Sequence, residues 1–276
     1  MAKKKAEKKQ ASEAPAPVPP DKALAPQADK SLAKAGGTRL AGRGFENLET
    51  SDVLLPRLKL LQPLSPECNG ENHEKPGSIF LALSGESHGQ KIVITPIMHF
   101  RSRIKWNDRD DGGGIDCSAA DAKAPRDTKY AKECSACHFA EWDNEAKNKK
   151  DQMPKCTLYD NFLVLVGDST EPMLLPMERT KMKVARKLYS MGALKGGDMW
   201  DHQYIITTVK ETNDKNQPYF NYAVTDASKK TSPEIRKRCE EIWTSMRGRT
   251  ISEKNQEQDS PAPAGSPEPA PSGGGY

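Results

Sequence analysis

Four of the six cysteines fall within forty residues, and this block constrains the fold of the chain more than any other feature. Cys117, Cys134, Cys137 and Cys156 have the pattern C-x16-C-x2-C-x18-C. The central C-x2-C spacing lets two thiolates of one tight turn bind the same tetrahedral ion, and the outer cysteines supply two more ligands. The block has few large aliphatic residues, so a metal would take the place of a hydrophobic core. We predict one structural Zn²⁺ held by these four cysteines.

Four free thiols, a disulfide pair and a redox-active C-x2-C are the alternatives for this block. No export signal is present, which predicts a reducing compartment, where cysteines bind metals more often than they form disulfides. No βαβ unit surrounds the C-x2-C, as a thioredoxin-like redox motif would require. His138 follows the pair and could replace one thiolate, but four cysteines already close the tetrahedral shell, and a closed shell favours a structural ion.

The two ends of the chain have compositions that predict disorder. Residues 1–40 are mostly Ala, Lys, Pro and Gln, and residues 253–276 contain five prolines and end in Gly-Gly-Gly-Tyr. Such segments bury too little apolar surface to offset their chain entropy. We therefore predict one folded domain over residues 41–252, with the cysteine-containing insertion at about 107–156.

The charge of the chain does not by itself identify a partner. Residues 1–40 carry +5 and residues 253–276 carry −3, so only about +2 of the net charge of +4 falls on the domain between them. Any nucleic-acid site must therefore rest on a local patch. No stretch approaches the ~18 apolar residues of a membrane span, and no signal peptide is evident. We expect a cytoplasmic protein without a membrane partner, in the host cytoplasm if a phage encodes it.

Alternating segments and segments rich in β-branched and aromatic residues predict five to seven β-strands, and apolar residues at helical spacing predict two helices. The strand segments are 53–61, 77–83, 91–106, 158–166, 172–176, 200–210 and 219–225. One helix is predicted over 178–191, with five Lys/Arg on its polar positions, and another begins after Ser232, with proline at its first position. No βαβ alternation appears. We predict a mainly β (α+β) fold, an OB-like, partly open β-barrel with a zinc-ribbon insertion and one or two flanking helices. A sandwich with a helical cap is the alternative.

The sequence contains no catalytic signature. It lacks a Walker loop, G-x-G-x-x-G, H-E-x-x-H and G-x-S-x-G. His99 and His202 lie in or next to predicted strands, where single histidines are usually structural. Cys239 lies on the apolar stripe of the last predicted helix and is most simply a core residue. We expect a protein that is not an enzyme.

Basic and aromatic residues are interleaved along segment 100–106, the combination that single-stranded nucleic acid needs for its phosphates and bases. Strict alternation places the three basic residues on one face and Trp106 on the other, unless a bulge turns Trp106 round. Tyrosines of the last strand would join them from a neighbouring strand. The alternative is that the aromatic residues belong to the core. The predicted nucleic-acid-binding set is Arg101, Arg103, Lys105, Trp106, Lys183, Lys187, Tyr219 and Tyr222.

The arrangement resembles that of phage-encoded single-stranded DNA-binding proteins. The resemblance is carried by the barrel-like strand order, the four-cysteine insertion and the low-complexity C-terminal tail. The large subunit of eukaryotic replication protein A and the helix-destabilising protein of T-even phages likewise combine an OB fold with zinc. The segment LLPRLKLLQPLSPE (54–67) also resembles uncharacterised phage early proteins.

This resemblance implies stoichiometric binding of single-stranded DNA during phage or bacterial DNA replication or recombination, with proteins of those processes as further partners. Proteins of this type usually end in an acidic tip that recruits partners, and this tail, at −3 and ending in Gly-Gly-Gly-Tyr, departs from that pattern. A phage structural or assembly protein with a zinc-stapled β-domain is the second function that the sequence allows. A metal-dependent nuclease is the third, disfavoured because carboxylates and histidines do not cluster.

Overall fold

The fold was taken from a computed structural model of the chain. It describes residues 54–69, 73–108, 113–148, 152–248 and residue 251. Both predicted tails lie outside the described residues. The described chain is mainly β, with two antiparallel sheets and a few helices, which confirms the predicted class.

The described residues form nine strands and three α-helices. The strands are β1 (Leu58–Leu60), β2 (Ile79–Leu81), β3 (Glu86–Ser87), β4 (Lys91–Trp106), β5 (Ile115–Ala119), β6 (Cys156–Val166), β7 (Met173–Glu178), β8 (His202–Thr212) and β9 (Pro218–Lys230). The helices are α1 (Pro66–Asn69), α2 (Met182–Lys195) and α3 (Pro233–Met246), with 3₁₀ turns at Cys134–Ala136, His138–Ala140, Arg179–Lys181 and Met199–Asp201.

The long strand β4 organises the main sheet. The strand order is β7-β6-β4-β8-β9, and β5 pairs with the end of β4 beyond the point where its pairing with β8 stops. The register shifts between Pro96 and Met98, which is the irregularity that a proline in this strand predicts. The sheet stays open between its edge strands β7 and β9, and no closed barrel is found in the described part of the chain.

Each face of the main sheet buries a different hydrophobic cluster. One face packs against α2, with Phe162, Leu188 and Tyr204 in its core. The other face packs against α3, where Cys239 is fully buried, as the apolar stripe predicts. The α3 helix begins at Pro233, and the Ser232 side chain accepts a hydrogen bond from the backbone N–H of Ile235, so the predicted N-cap is confirmed. The two faces therefore have separate cores and separate covering helices.

Residues 107–155 connect β4 to β6, two strands that pair with each other along most of their length. In its described part this insertion contributes β5 to the main sheet and otherwise forms turns and two 3₁₀ segments. It stands at the β5 end of β4, beside the start of α2. None of the helices among the described residues is both long and apolar enough to cross a membrane.

Candidate nucleic-acid interface and cysteine cluster

The three basic residues of β4 point to the face of the sheet that α2 covers, but their surroundings differ. Arg101 is paired across the strands with Asp160, a carboxylate that is fully buried. Its Nε donates a 2.8 Å hydrogen bond to Oδ1 of Asp160, and Nε2 of His99 lies 2.9 Å from the same oxygen. Burial favours the neutral acid, but these two contacts outweigh it and hold the pKa of Asp160 below its ordinary value. Arg101 thus compensates a buried charge.

Lys105 connects β4 to the insertion through an ion pair. It makes an ion pair with Asp116, which also accepts hydrogen bonds from Nζ of Lys129 at 2.8 Å and the hydroxyl of Tyr130 at 2.7 Å. These donors hold the pKa of Asp116 far below its usual range. The Lys105 ammonium also lies 4.8 Å from the ring centroid of Phe139. Lys105 is therefore engaged within the protein.

Arg103 lies between these two residues on β4 and lines a cavity of about 520 Å³. The sheet forms one wall of the cavity, the insertion the second, and the start of α2 the third. Its lining residues are Arg103, Ala140, Trp142, Met153, Pro154, Cys156, Thr157, Leu158, Arg179, Thr180, Met182, Lys183 and Arg186. Among the described residues, the lining contains no Asp or Glu.

Four cations therefore converge on one cavity, and we call Arg103, Arg179, Lys183 and Arg186 the cavity cations. None of them makes an ion pair with a carboxylate of the described residues, although many other basic side chains of the domain do. Like charges that line one cavity repel each other, so the arrangement favours an anionic ligand. The sequence predicted Arg103 and Lys183 for binding but missed the other two.

An exposed apolar wall faces the cavity cations. Trp142 retains 62% of its surface exposed and Met153 retains 39%, and both come from the insertion. An indole exposed to this degree beside cations can stack on a base. Sequence reasoning missed Trp142 because it lies in the insertion, outside any alternating pattern.

The start of α2 adds to the positive potential of the cavity. Arg179 adopts a left-handed backbone conformation with φ of 48°, which joins β7 to the helix. The N-cap residue Lys181 provides no side-chain hydrogen bond, and the first turn has no acidic residue. The positive end of the helix dipole therefore lies beside Thr180 and Lys183, which line the cavity.

Trp106 does not turn towards the cavity cations. The register shifts between Lys105 and Trp106, which is the bulge that the sequence left open. The indole N–H of Trp106 nevertheless lies 3.3 Å from the hydroxyl of Tyr159, on the opposite face from Arg103. Trp106 is half-buried and hydrogen-bonded within the protein, in contrast to Trp142.

The predicted tyrosines of the last strand lie elsewhere. Strand β8 separates β4 from β9, so the expectation that these two strands are neighbours is wrong. Tyr222 retains 3% exposure within the α2-side core, and the hydroxyl of Tyr219 donates a 2.5 Å hydrogen bond to Glu211 near the β8–β9 turn. The structure thus brings Arg103 and Lys183 together and separates the two tyrosines from them. Lys187 is exposed on α2 but is not among the cavity-lining residues.

The four predicted zinc ligands lie around the same end of β4. Cys117 and Cys156 belong to β5 and β6, and both are paired with Lys105, one from each side. Cys134 and Cys137 sit at the ends of one 3₁₀ turn, closed by a backbone hydrogen bond between them. Three elements therefore carry the four thiols near the end of β4: β5, β6 and the 3₁₀ turn at Cys134–Ala136.

Burial raises the pKa of the Cys156 thiol to about 11, Arg103 lowers it, and the other three cysteines raise it through their negative charge. The four sulfurs are thus electrostatic neighbours. In the described residues, no three His, Cys, Asp or Glu side chains are arranged to hold a metal ion. The zinc site stays a prediction, which would require the thiols to draw closer around the ion.

Fold and site together define a mainly β protein with a basic cavity flanked by cysteines. The chain belongs to the family of Pam3 phage gp34-like proteins, whose family model matches residues 27–252. This family indicates a bacteriophage origin for the chain. Comparison with curated proteins and with solved structures gave no match.

Proposed function

We propose that this protein binds single-stranded DNA stoichiometrically, without catalysis, in phage DNA replication or recombination. The observation that carries the proposal is the cavity in which the four cavity cations, none of them in an ion pair with a carboxylate of the described residues, lie beside the exposed indole of Trp142. Phosphates would contact the cations, and a base would stack on the indole. Each cation that contacts a phosphate releases counterions, so the affinity should fall as salt rises.

One structural zinc is part of this proposal. Cys117 and Cys156 would bind it from the strands that flank β4, and Cys134 and Cys137 from the turn of the insertion. Four thiolates suit a closed tetrahedral site. The ion would fix the insertion against the sheet and so hold Trp142 opposite α2.

In this proposal, the comparison with OB folds concerns the way a single strand is bound. OB folds bind single strands on a curved sheet with loops at its rim. In this chain the equivalent surface would be the open sheet around Arg103, bordered by the insertion and α2.

A fluorescence titration with a dT oligonucleotide tests the proposed function. We expect saturable binding at low salt that weakens steadily as salt is raised. Arg103→Glu should reduce both the affinity and its salt dependence, whereas Lys237→Glu, on α3 at the opposite face of the sheet, should change them little. The absence of wild-type binding at low salt would refute the proposal, and cleavage that requires Mg²⁺ would identify a nuclease instead.

A further inference from the structure

We infer that the cavity holds the end of a DNA strand, with a terminal phosphate among the cavity cations and the terminal base on Trp142. The inference rests on the proposed function and deepens it, because it specifies which part of a single strand enters the site. The structural contrast is between a groove that a continuous strand crosses and a pocket that one nucleotide fills.

The size of the cavity favours one nucleotide. Pockets that enclose one small molecule measure about 300–1,000 Å³, and this cavity, at about 520 Å³, lies in that range. Its walls come from three elements, since Arg103 belongs to the sheet, Trp142 to the insertion and Arg186 to α2. A groove that tracks a strand would instead extend along the surface, with cations spaced along it.

The charge of the cavity favours a terminal phosphate. An internal phosphodiester carries a single negative charge, whereas a phosphomonoester carries about −1.5 to −2 at pH 7. The four cavity cations make no ion pair with a carboxylate of the described residues and carry more positive charge than one phosphodiester neutralises, so a terminal phosphate together with the next phosphodiester suits them better than a single phosphodiester. Three of them, Arg103, Arg179 and Arg186, are arginines, whose planar guanidinium groups bind phosphate oxygens in pairs.

The apolar side of the cavity suits the base of the same nucleotide. Trp142, Met153 and Met182 contribute large apolar side chains to its lining. A terminal base has one stacking face free of a neighbouring base, so an indole can cover it without separating two stacked bases. The arrangement therefore accommodates phosphate and base of one terminal nucleotide together.

Affinities for four DNAs of the same dT length test the inference: linear with a 5′-phosphate, linear with a 3′-phosphate, linear with neither, and covalently closed circular. We expect one phosphorylated linear form to bind roughly tenfold more tightly than the unphosphorylated one, since charge-assisted hydrogen bonds are lost without the phosphate. The circular form should bind no better than the unphosphorylated one. Equal affinity for all four would overturn the inference and leave the proposed function standing, and no binding to any of them would refute both.

Measurements with free dTMP and with cavity variants test whether the preference for a phosphorylated strand end arises in this cavity. If dTMP alone binds as tightly as the phosphorylated strand, the site takes a free nucleotide and the strand-end assignment is wrong. Arg186→Gln and Lys183→Gln alter exposed side chains, so both variants should fold, as a melting curve would check. Each should remove most of the preference for the phosphorylated end, and Lys237→Gln should keep it. A preference that survives in both cavity variants would contradict the assignment to this cavity.

Discussion

Arg101 donates its Nε hydrogen to Oδ1 of Asp160 at 2.8 Å, on the face of β4 from which Arg103 reaches the cavity. Two arginines, two residues apart on one strand, therefore have different surroundings. Arg101 compensates a carboxylate whose side chain is fully buried, and Arg103 has no carboxylate partner within the described residues. The structure thus separates a residue of the fold from a residue of the proposed site.

We expect Asp160→Asn to lower the free energy of unfolding by about 1.5–3 kcal/mol, because the fully buried carboxylate loses its charge-assisted hydrogen bonds with Arg101 and His99, while the half-exposed Arg101 stays hydrated. Denaturant unfolding followed by circular dichroism would measure the change. Asp226→Asn is the control, since Asp226 pairs with Lys195 at the surface, where ion pairs contribute little. Equal losses of unfolding free energy in the two variants would show that the burial of Asp160 does not strengthen its contribution to stability.

The same carboxylate predicts a pH dependence of stability. The folded pKa of Asp160 is below its ordinary value of about 3.9. Its contribution is therefore fully present above that pH and is lost as the pH falls through the folded pKa. The difference in stability between wild type and Asp160→Asn should be constant near neutral pH and shrink below about pH 4. A difference that is unchanged under acid conditions would contradict this assignment.

Trp142→Ala should weaken DNA binding, whereas Trp106→Ala should lower the stability of the fold. Trp142 is mostly exposed, so its loss should weaken binding of a dT oligonucleotide roughly ten- to a hundred-fold with little change in melting temperature. Trp106 is half-buried against Tyr159, so its loss should cost about 3 kcal/mol of stability and leave the affinity of the folded protein nearly unchanged. Both quantities can be measured on the same preparations, and the reverse pattern would restore the surface predicted from the sequence.

We expect one zinc per chain after purification without chelator. Cys134→Ser should release the metal and make residues 107–156 sensitive to protease, because the insertion lacks a large hydrophobic core, while most of the sheet signal remains. Cys68→Ser, in α1 and outside the block, is the matched control and should retain the metal. Metal analysis by mass spectrometry with limited proteolysis would check this. Well under one equivalent in the wild type would exclude the site.

Local patterns in the sequence determined most of the secondary structure. The β-branched and aromatic residues over 91–106, with alternation from Arg101 on, predict β4 with both of its ends, because such residues favour extended backbone. Ser232 and Pro233 predict the start of α3, because capping depends on neighbours a few residues away. The scarcity of large aliphatic residues over about 107–156 predicts an insertion, and the described residues between β4 and β6 contain only β5 and two 3₁₀ segments as regular structure.

Tertiary structure alone decided which side chains are available to a ligand. Arg101 and Arg103 are equivalent in the alternating pattern, and only the pairing of β4 with β6 puts Asp160 beside the first of them. The strand order placed β8 between β4 and β9, so Tyr222 became a core residue. Trp142 lines the same cavity as residues of α2, because the pairing of β4 with β6 brings the two ends of the insertion together at the sheet. These outcomes depend on contacts between residues far apart in the chain, which local periodicity does not encode.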